Sequence, residues 1–169
     1  MIIKLREISR ILETPLESVS IFLCASILVL VFAEVVSRYI FAASHGFMEE
    51  FSKWAQVWLV YLMMGVIEKR RRHLMVDILL SRLSEKHKQL MSILISTMNL
   101  VFAIVLCWAG IQGTQFVKQV GLHSTTEIPT PMWIARLCIP IGAIFLAFFS
   151  IEHIITDIRS ISHQRRSRK

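Results

Sequence analysis

Residues 90–117 read LMSILISTMNLVFAIVLCWAGIQGTQFV, a stretch without one charged side chain. As a helix rising 1.5 Å per residue it spans roughly 42 Å, more than the ~30 Å hydrocarbon core of a bilayer. Such a run is a membrane-crossing helix, and its excess length calls for tilt or for projection beyond the core. Three more stretches are long and apolar enough to cross, at about 18–41, 48–67 and 131–156. Pro131 suits a first helical turn, and Pro140 inside the last stretch is expected to bend it. The composition agrees. The chain has 169 residues, 54% hydrophobic and 18% charged, with a mean hydropathy of +0.59. That is too apolar for an ordinary soluble domain and excludes disorder. The expectation is one all-α integral membrane domain over 1–169 with four transmembrane helices.

The net charge of +7 is read through its position. Fifteen of the 19 Lys and Arg fall in the N-terminal segment, the loop between helices two and three, and the C-terminal tail. The positive-inside rule then puts both termini in the cytoplasm, so the charge is a topology signal and a contact for lipid headgroups, not a nucleic-acid site. Glu7, Glu13 and Glu17 precede the first apolar stretch, which reads as an uncleaved helix and not as a signal peptide. Within 73–89, Val76, Leu79, Leu80 and Leu83 recur at helical spacing opposite Asp77, Ser81, Ser84 and Lys88. This predicts an amphipathic helix on the cytoplasmic face; residues 2–12 share the pattern and either lie flat too or pack on neighbours.

A charge at mid-membrane costs at least about 2.5–3.5 kcal/mol, so each needs a reason. Glu34 and Arg38 fall in the outer third of helix one, Glu49, Glu50 and Lys53 at the start of helix two, and Arg136 early in helix four. Three acids match three bases, and Glu34 and Arg38 stand at i,i+4. The expectation is an ionic layer near the periplasmic face that fixes helix register. Asn99 is nearly alone at mid-membrane and reads as a helix–helix hydrogen bond. Trp54, Trp58, Trp108 and Trp133 read as interface anchors. No histidine pair faces itself across the membrane as haem would need, and no nucleophile–base pair or phosphate loop occurs. Cys24, Cys107 and Cys138 lie in apolar runs with no CxxC, which argues against zinc and disulfides. Neither enzyme nor cofactor nor metal centre is expected.

The stretches Glu34-Val-Val-Ser-Arg-Tyr39-Ile-Phe41, Phe47-Met-Glu-Glu-Phe-Ser-Lys53, Val57-Trp58-Leu59 and His73-Leu-Met-Val-Asp77 follow one another in order. Glu127-Ile-Pro129, Trp133 and Pro140-Ile-Gly142 come after them. Over about 18–150 this order resembles the small, DctQ-like membrane subunit of TRAP (tripartite ATP-independent periplasmic) transporters. The chain departs from that pattern at Phe47, where many members have Trp, and at Met63, where many have Gly. The resemblance implies a bacterial inner-membrane scaffold for a large elevator-type subunit, which carries an organic acid of carboxylate or sialic acid type with sodium ions. A periplasmic binding protein would deliver the substrate and dock partly on this chain. Sodium would bind the large subunit, not this one. A different class of reading makes the chain a self-sufficient proton-coupled transporter with Glu34 as carrier; a third makes it a haem or quinone anchor.

Overall fold

Apolar side chains at most positions leave the backbone to satisfy its own hydrogen bonds, and the helix does so within one segment. The computed structural model describes the backbone of residues 2–70, 85–126 and 128–166, and the side chains of 7–70, 90–126 and 128–159. Every regular element among them is a helix: α1 (Ile2–Ile40), α2 (Gly46–Lys69), α3 (Glu85–Val120), α4 (Trp133–Arg136) and α5 (Cys138–Arg166). Their positions follow the four apolar stretches, with three differences.

First, α1 runs unbroken through Pro15 and takes in the N-terminal amphipathic stretch. That stretch packs on its neighbours, because Ser9 is fully buried against α5. Second, the bend expected at Pro140 is an interruption at Leu137. The helix restarts at Cys138, so Pro140 falls in the first turn of α5, where its missing N–H costs little. Pro131 lies outside α4, bridged to His123 in the preceding loop. Third, stretches apolar and long enough to cross a membrane are present in α1 (Glu7–Ile40), α3 (Leu90–Val120) and α4–α5 (Trp133–Arg159). With 24 residues α2 is long enough, about 36 Å, but Glu49, Glu50, Lys53 and Gln56 make its first half more polar. The interfacial helix expected over 73–89 lies outside the described residues as far as 84, and residues 85–89 open α3.

The helices form an open row in the order α1–α2–α5–α3. Among the described residues the two ends of the row, α1 and α3, make no contact. Connections alternate, so the 41–45 turn and the 121–132 loop share one end of the row. The first turns of α1 meet the second half of α5 at the other end, where Ser9 reaches Glu152. Gly121, at φ +67°, closes α3 in the left-handed conformation that suits glycine.

Packing along the row rests on close approach. Leu16, Leu62, Val66 and Phe149 form a core between α1, α2 and α5, with Trp58 laid against it. Gly142 brings α5 onto the α2 backbone: a Cβ there would sit 2.5 Å from the Tyr61 carbonyl oxygen. Gly110 does the same between α3 and α5, where a Cβ would lie 2.7 Å from Ile139 and 3.0 Å from Pro140. Small residues at helix contacts are how membrane helices gain van der Waals energy when lipid removes the hydrophobic drive between them. Replacing Gly142 by Leu is therefore expected to force α2 and α5 apart and to cost about 1–3 kcal/mol or more. Gly46→Ala, whose new Cβ meets Thr126 only at an ordinary 3.6 Å, is expected to be neutral. Unfolding midpoints of the two variants in detergent check this.

Candidate functional site

Charged side chains collect at the two ends of the row. At the end holding the 41–45 turn, spacing does most of the work. Arg38 Nη2 pairs with Glu34 Oε1 at 3.0 Å, and Lys53 Nζ with Glu49 Oε1 at 2.7 Å, both one helical turn apart. Arg38 also reaches Glu49 Oε2 at 4.0 Å, which joins the two pairs across α1 and α2. The Ser44 hydroxyl donates to Glu34 Oε1 at 3.0 Å and the His45 backbone N–H to Oε2 at 3.2 Å. The Glu34 carboxylate thus organises the turn that links the two helices. A cleft of about 310 Å³ opens beside it, lined by Glu34, Arg38, Tyr39, Glu49 and Ser52.

Of the other residues singled out from sequence, Glu50 stands apart from this network. Its carboxylate accepts hydrogen bonds from Ser124 and from Thr126, the latter at 2.6 Å, and so pins the 121–132 loop onto α2. Arg136 does not join either: its guanidinium lies on α4 beside Gly113 of α3. Tyr39 and Phe41 are exposed, Pro129 is an exposed loop residue and Pro140 is buried. His73 and Asp77 lie outside the described residues. Of the tryptophans, Trp58 packs on the core, Trp108 is exposed and Trp133 lies under the Lys118 ammonium at 5.5 Å.

The opposite end holds the more buried cluster, which the sequence pattern alone does not bring together. Two consecutive residues at the end of α2 diverge around the helix and bind different neighbours. Lys69 Nζ donates to both Glu152 carboxylate oxygens of α5 at 2.8 Å and to Ser9 Oγ of α1 at 2.6 Å. Side-chain exposure is 17% for Lys69 and 7% for Glu152, so this is a largely buried pair. Glu68 turns the other way. Its carboxylate accepts from Asn99 of α3 at 2.7 Å and from Ser150 of α5 at 3.2 Å, and its backbone oxygen is 2.9 Å from His153 Nε2. Asn99 thus makes an interhelical hydrogen bond, and its partner is an acid.

Two flanking contacts complete this end. Ser92 donates to Asp157 at 2.7 Å between α3 and α5. Arg70 pairs with Glu13 at 2.8 Å and with Glu17 of α1, and those carboxylates raise its pKa further, so it stays charged at any working pH. Two signals of this cluster stand in the sequence: Asn99, read there as an interhelical hydrogen bond, and Glu152, an acid inside an apolar stretch, which needs a partner at its own depth. Among the described residues no buried side-chain polar atom lacks a hydrogen bond, and no three metal-binding side chains converge.

This arrangement binds helices to one another. Removing one member of a buried pair leaves the other charge uncompensated, at a cost of about 3–5 kcal/mol. Glu152→Ala is expected to destabilise the chain by that order. The double variant Lys69→Met with Glu152→Met is expected to recover most of the loss. Denaturant titration of the three proteins in detergent checks both.

The family model described as "Tripartite ATP-independent periplasmic transporters, DctQ component" matches residues 27–160. Two proteins of Haemophilus influenzae, each described as a putative TRAP transporter small permease protein, are also similar. One is 25% identical over 145 residues, covering 86% of this chain and 88% of its own length. The other is 24% identical over 155 residues, covering 91% and 94%. The region matched by the family model takes in the C-terminal part of α1, all of α2, α3 and α4, and most of α5. Glu34, Glu50, Glu68, Lys69 and Glu152 all fall within it. With its apolar helices, the chain is a multi-pass membrane protein, and it belongs to the DctQ family, the small membrane component of the tripartite ATP-independent periplasmic transporters.

Proposed function

We propose that this chain is the static scaffold of a sodium-coupled transporter that imports an organic acid of carboxylate or sialic acid type. In this reading it crosses the bacterial inner membrane four times, α2 included, with both termini in the cytoplasm and an interfacial helix over 73–89. It braces the large elevator-type membrane subunit, which holds the sodium ions. At the end carrying the 41–45 turn it offers surface on which the periplasmic binding protein docks. The Glu34, Arg38, Glu49, Glu50, Lys53 and Arg136 side chains lie toward that face.

The observation that carries the reading is the open row pinned at both ends. A moving transport domain needs a neighbour that does not move with it. Four helices tied by Glu68 and Lys69 at one end, and by Glu34 and Glu50 at the other, supply a stiff plate. The exposed apolar residues of α1, among them Phe22, Leu28, Val29 and Phe32, leave a broad surface for a membrane partner and lipid. The Glu34 geometry supports the scaffold over the proton-carrier reading, because its carboxylate already holds Arg38, Ser44 and the His45 N–H.

A mild-detergent pull-down through a tag after Lys169, from the native host, tests the proposal. A many-helix permease is expected at near-equal stoichiometry, and the chain alone is expected to transport nothing in proteoliposomes. Glu34→Gln is expected to lower the yield of complex without abolishing uptake by what assembles. Recovery of this chain alone, with Glu34-dependent transport, would overturn the scaffold reading.

A further inference from the structure

Between the first turns of α2 and the 121–132 loop lies a polar cavity of about 380 Å³, lined among others by Glu49, Glu50, Lys53, Trp54, His123 and Thr125. Its loop residues fall between the apolar spans Leu90–Val120 and Trp133–Arg159, so it opens on water and not on acyl chains. Four of its side chains titrate, and two of them cancel: Lys53 Nζ closes onto Glu49 Oε1 at 2.7 Å. Arg38, 4.0 Å from Glu49 Oε2, is committed to Glu34 at 3.0 Å. Glu50 spends one carboxylate oxygen only. Ser124 and Thr126 both donate to Oε2, and Oε1 takes no bond among the described residues. His123 Nδ1 lies 2.7 Å from the Gly121 carbonyl oxygen. A carbonyl accepts and never donates, so Nδ1 carries a proton, and Nε2 of the neutral ring is left as an acceptor with no partner among the described residues. The cavity is thus negative by the Glu50 carboxylate and holds two unspent acceptors on separate elements. Glu127, the one other titratable residue of the loop, lies outside the described residues and is also an acid.

We propose that this cavity receives an arginine side chain of the soluble protein that docks at this end of the row. The guanidinium donates to Glu50 Oε1 and to His123 Nε2 and lies against the half-buried Trp54 ring, whose face attracts a flat cation. The lining selects this occupant. An organic acid is repelled by Glu50. A metal ion finds no third ligand, since no three metal-binding side chains converge among the described residues. A lysine ammonium is a point charge, whereas the planar fork of arginine serves two acceptors on different elements and still stacks. Glu50 already clasps the loop through Ser124 and Thr126, so a partner that engages its second oxygen grips α2 and the loop together. The partner's identity, the periplasmic binding protein, rests on the scaffold reading.

The test uses the full chain with the large subunit it retains, in nanodiscs, and reads its affinity for the purified binding protein of the same transporter. Glu50→Gln keeps an acceptor for Ser124 and Thr126 but loses the charge. His123→Ala removes the second acceptor, and Thr125→Trp fills the cavity from an exposed loop position. Arg10→Ala, exposed at the opposite end of the row, is the control. Unfolding midpoints and retention of the large subunit are measured on every sample. Affinity is expected to fall about tenfold or more with Glu50→Gln, the loss of one charged hydrogen bond, and less with His123→Ala. Thr125→Trp is expected to abolish binding and Arg10→Ala to leave it unchanged, with the large subunit retained throughout. Each surface arginine of the binding protein is then replaced by Lys. One such variant is expected to lower affinity alone and to add nothing to Glu50→Gln, the non-additivity of a direct contact. A complex that keeps its large subunit and binds equally well with Glu50→Gln and Thr125→Trp overturns the proposal, as does independence of every arginine from Glu50. Failure of the unaltered chain to retain a large subunit overturns the scaffold reading and this partner with it.

Discussion

Two neighbouring residues of opposite charge, Glu68 and Lys69, hold the four long helices together at one end. Adjacent positions on a helix point about 100° apart, so one short segment of α2 faces two directions at once. Lys69 gathers α1 and α5 through Ser9 and Glu152, and Glu68 gathers α5 and α3 through Ser150 and Asn99. Without these bonds α3 would touch the long helices of the row only along α5, and α1 almost only along α2. The apolar contacts set which helices are neighbours, and the Glu68–Lys69 junction fixes their register.

The opposite end is built from more local parts. Glu34, Arg38, Glu49 and Lys53 form pairs one helical turn apart, and the 41–45 turn closes over the Glu34 carboxylate. Exposed pairs of this kind contribute little each. Their effect here comes from linkage, since Arg38 spans to Glu49 and Glu50 captures the loop before α4. One end thus has the buried, long-range Lys69–Glu152 and Glu68 bonds at its centre, and the other joins one-turn pairs around the buried Glu34 carboxylate to the long-range bonds of Glu50. In the scaffold reading this difference has a use. A surface that receives a soluble protein must adjust, while the junction that fixes helix order must not.

Such a division also decides what the sequence can reveal. Helix positions are legible because an apolar run of membrane length satisfies its backbone in lipid only as a helix. The pairs Glu34–Arg38 and Glu49–Lys53 are legible because i,i+4 spacing fixes distance. Lys69 and Glu152, separated by 83 positions, are not, because apolarity gives depth in the membrane but not the direction a side chain faces. The same gap accounts for Arg136. Depth alone puts it with the acids of α1 and α2, whereas its helix carries it beside Gly113 of α3. Pro140 signals a disturbance, but only the chain's path decides between a kink and a restart. The bond from Asn99 is expected from its depth; that its acceptor is Glu68 requires the fold.

An open row is an unusual answer for apolar helices, because each keeps two broad faces uncovered. In water this would be untenable: Phe22, Phe32, Met98, Val101 and Trp108 are all largely exposed. In a bilayer the cost vanishes, since lipid covers those faces as well as another helix would. What the membrane does not supply is a reason for the helices to stay together, and that must come from close backbone approach and from polar bonds. Gly142 and Gly110 supply the first in the middle of the row, and the charged residues supply the second at its ends. A plate made this way can present one face to a moving partner and the other to lipid without changing its own structure, which is the property a static subunit requires.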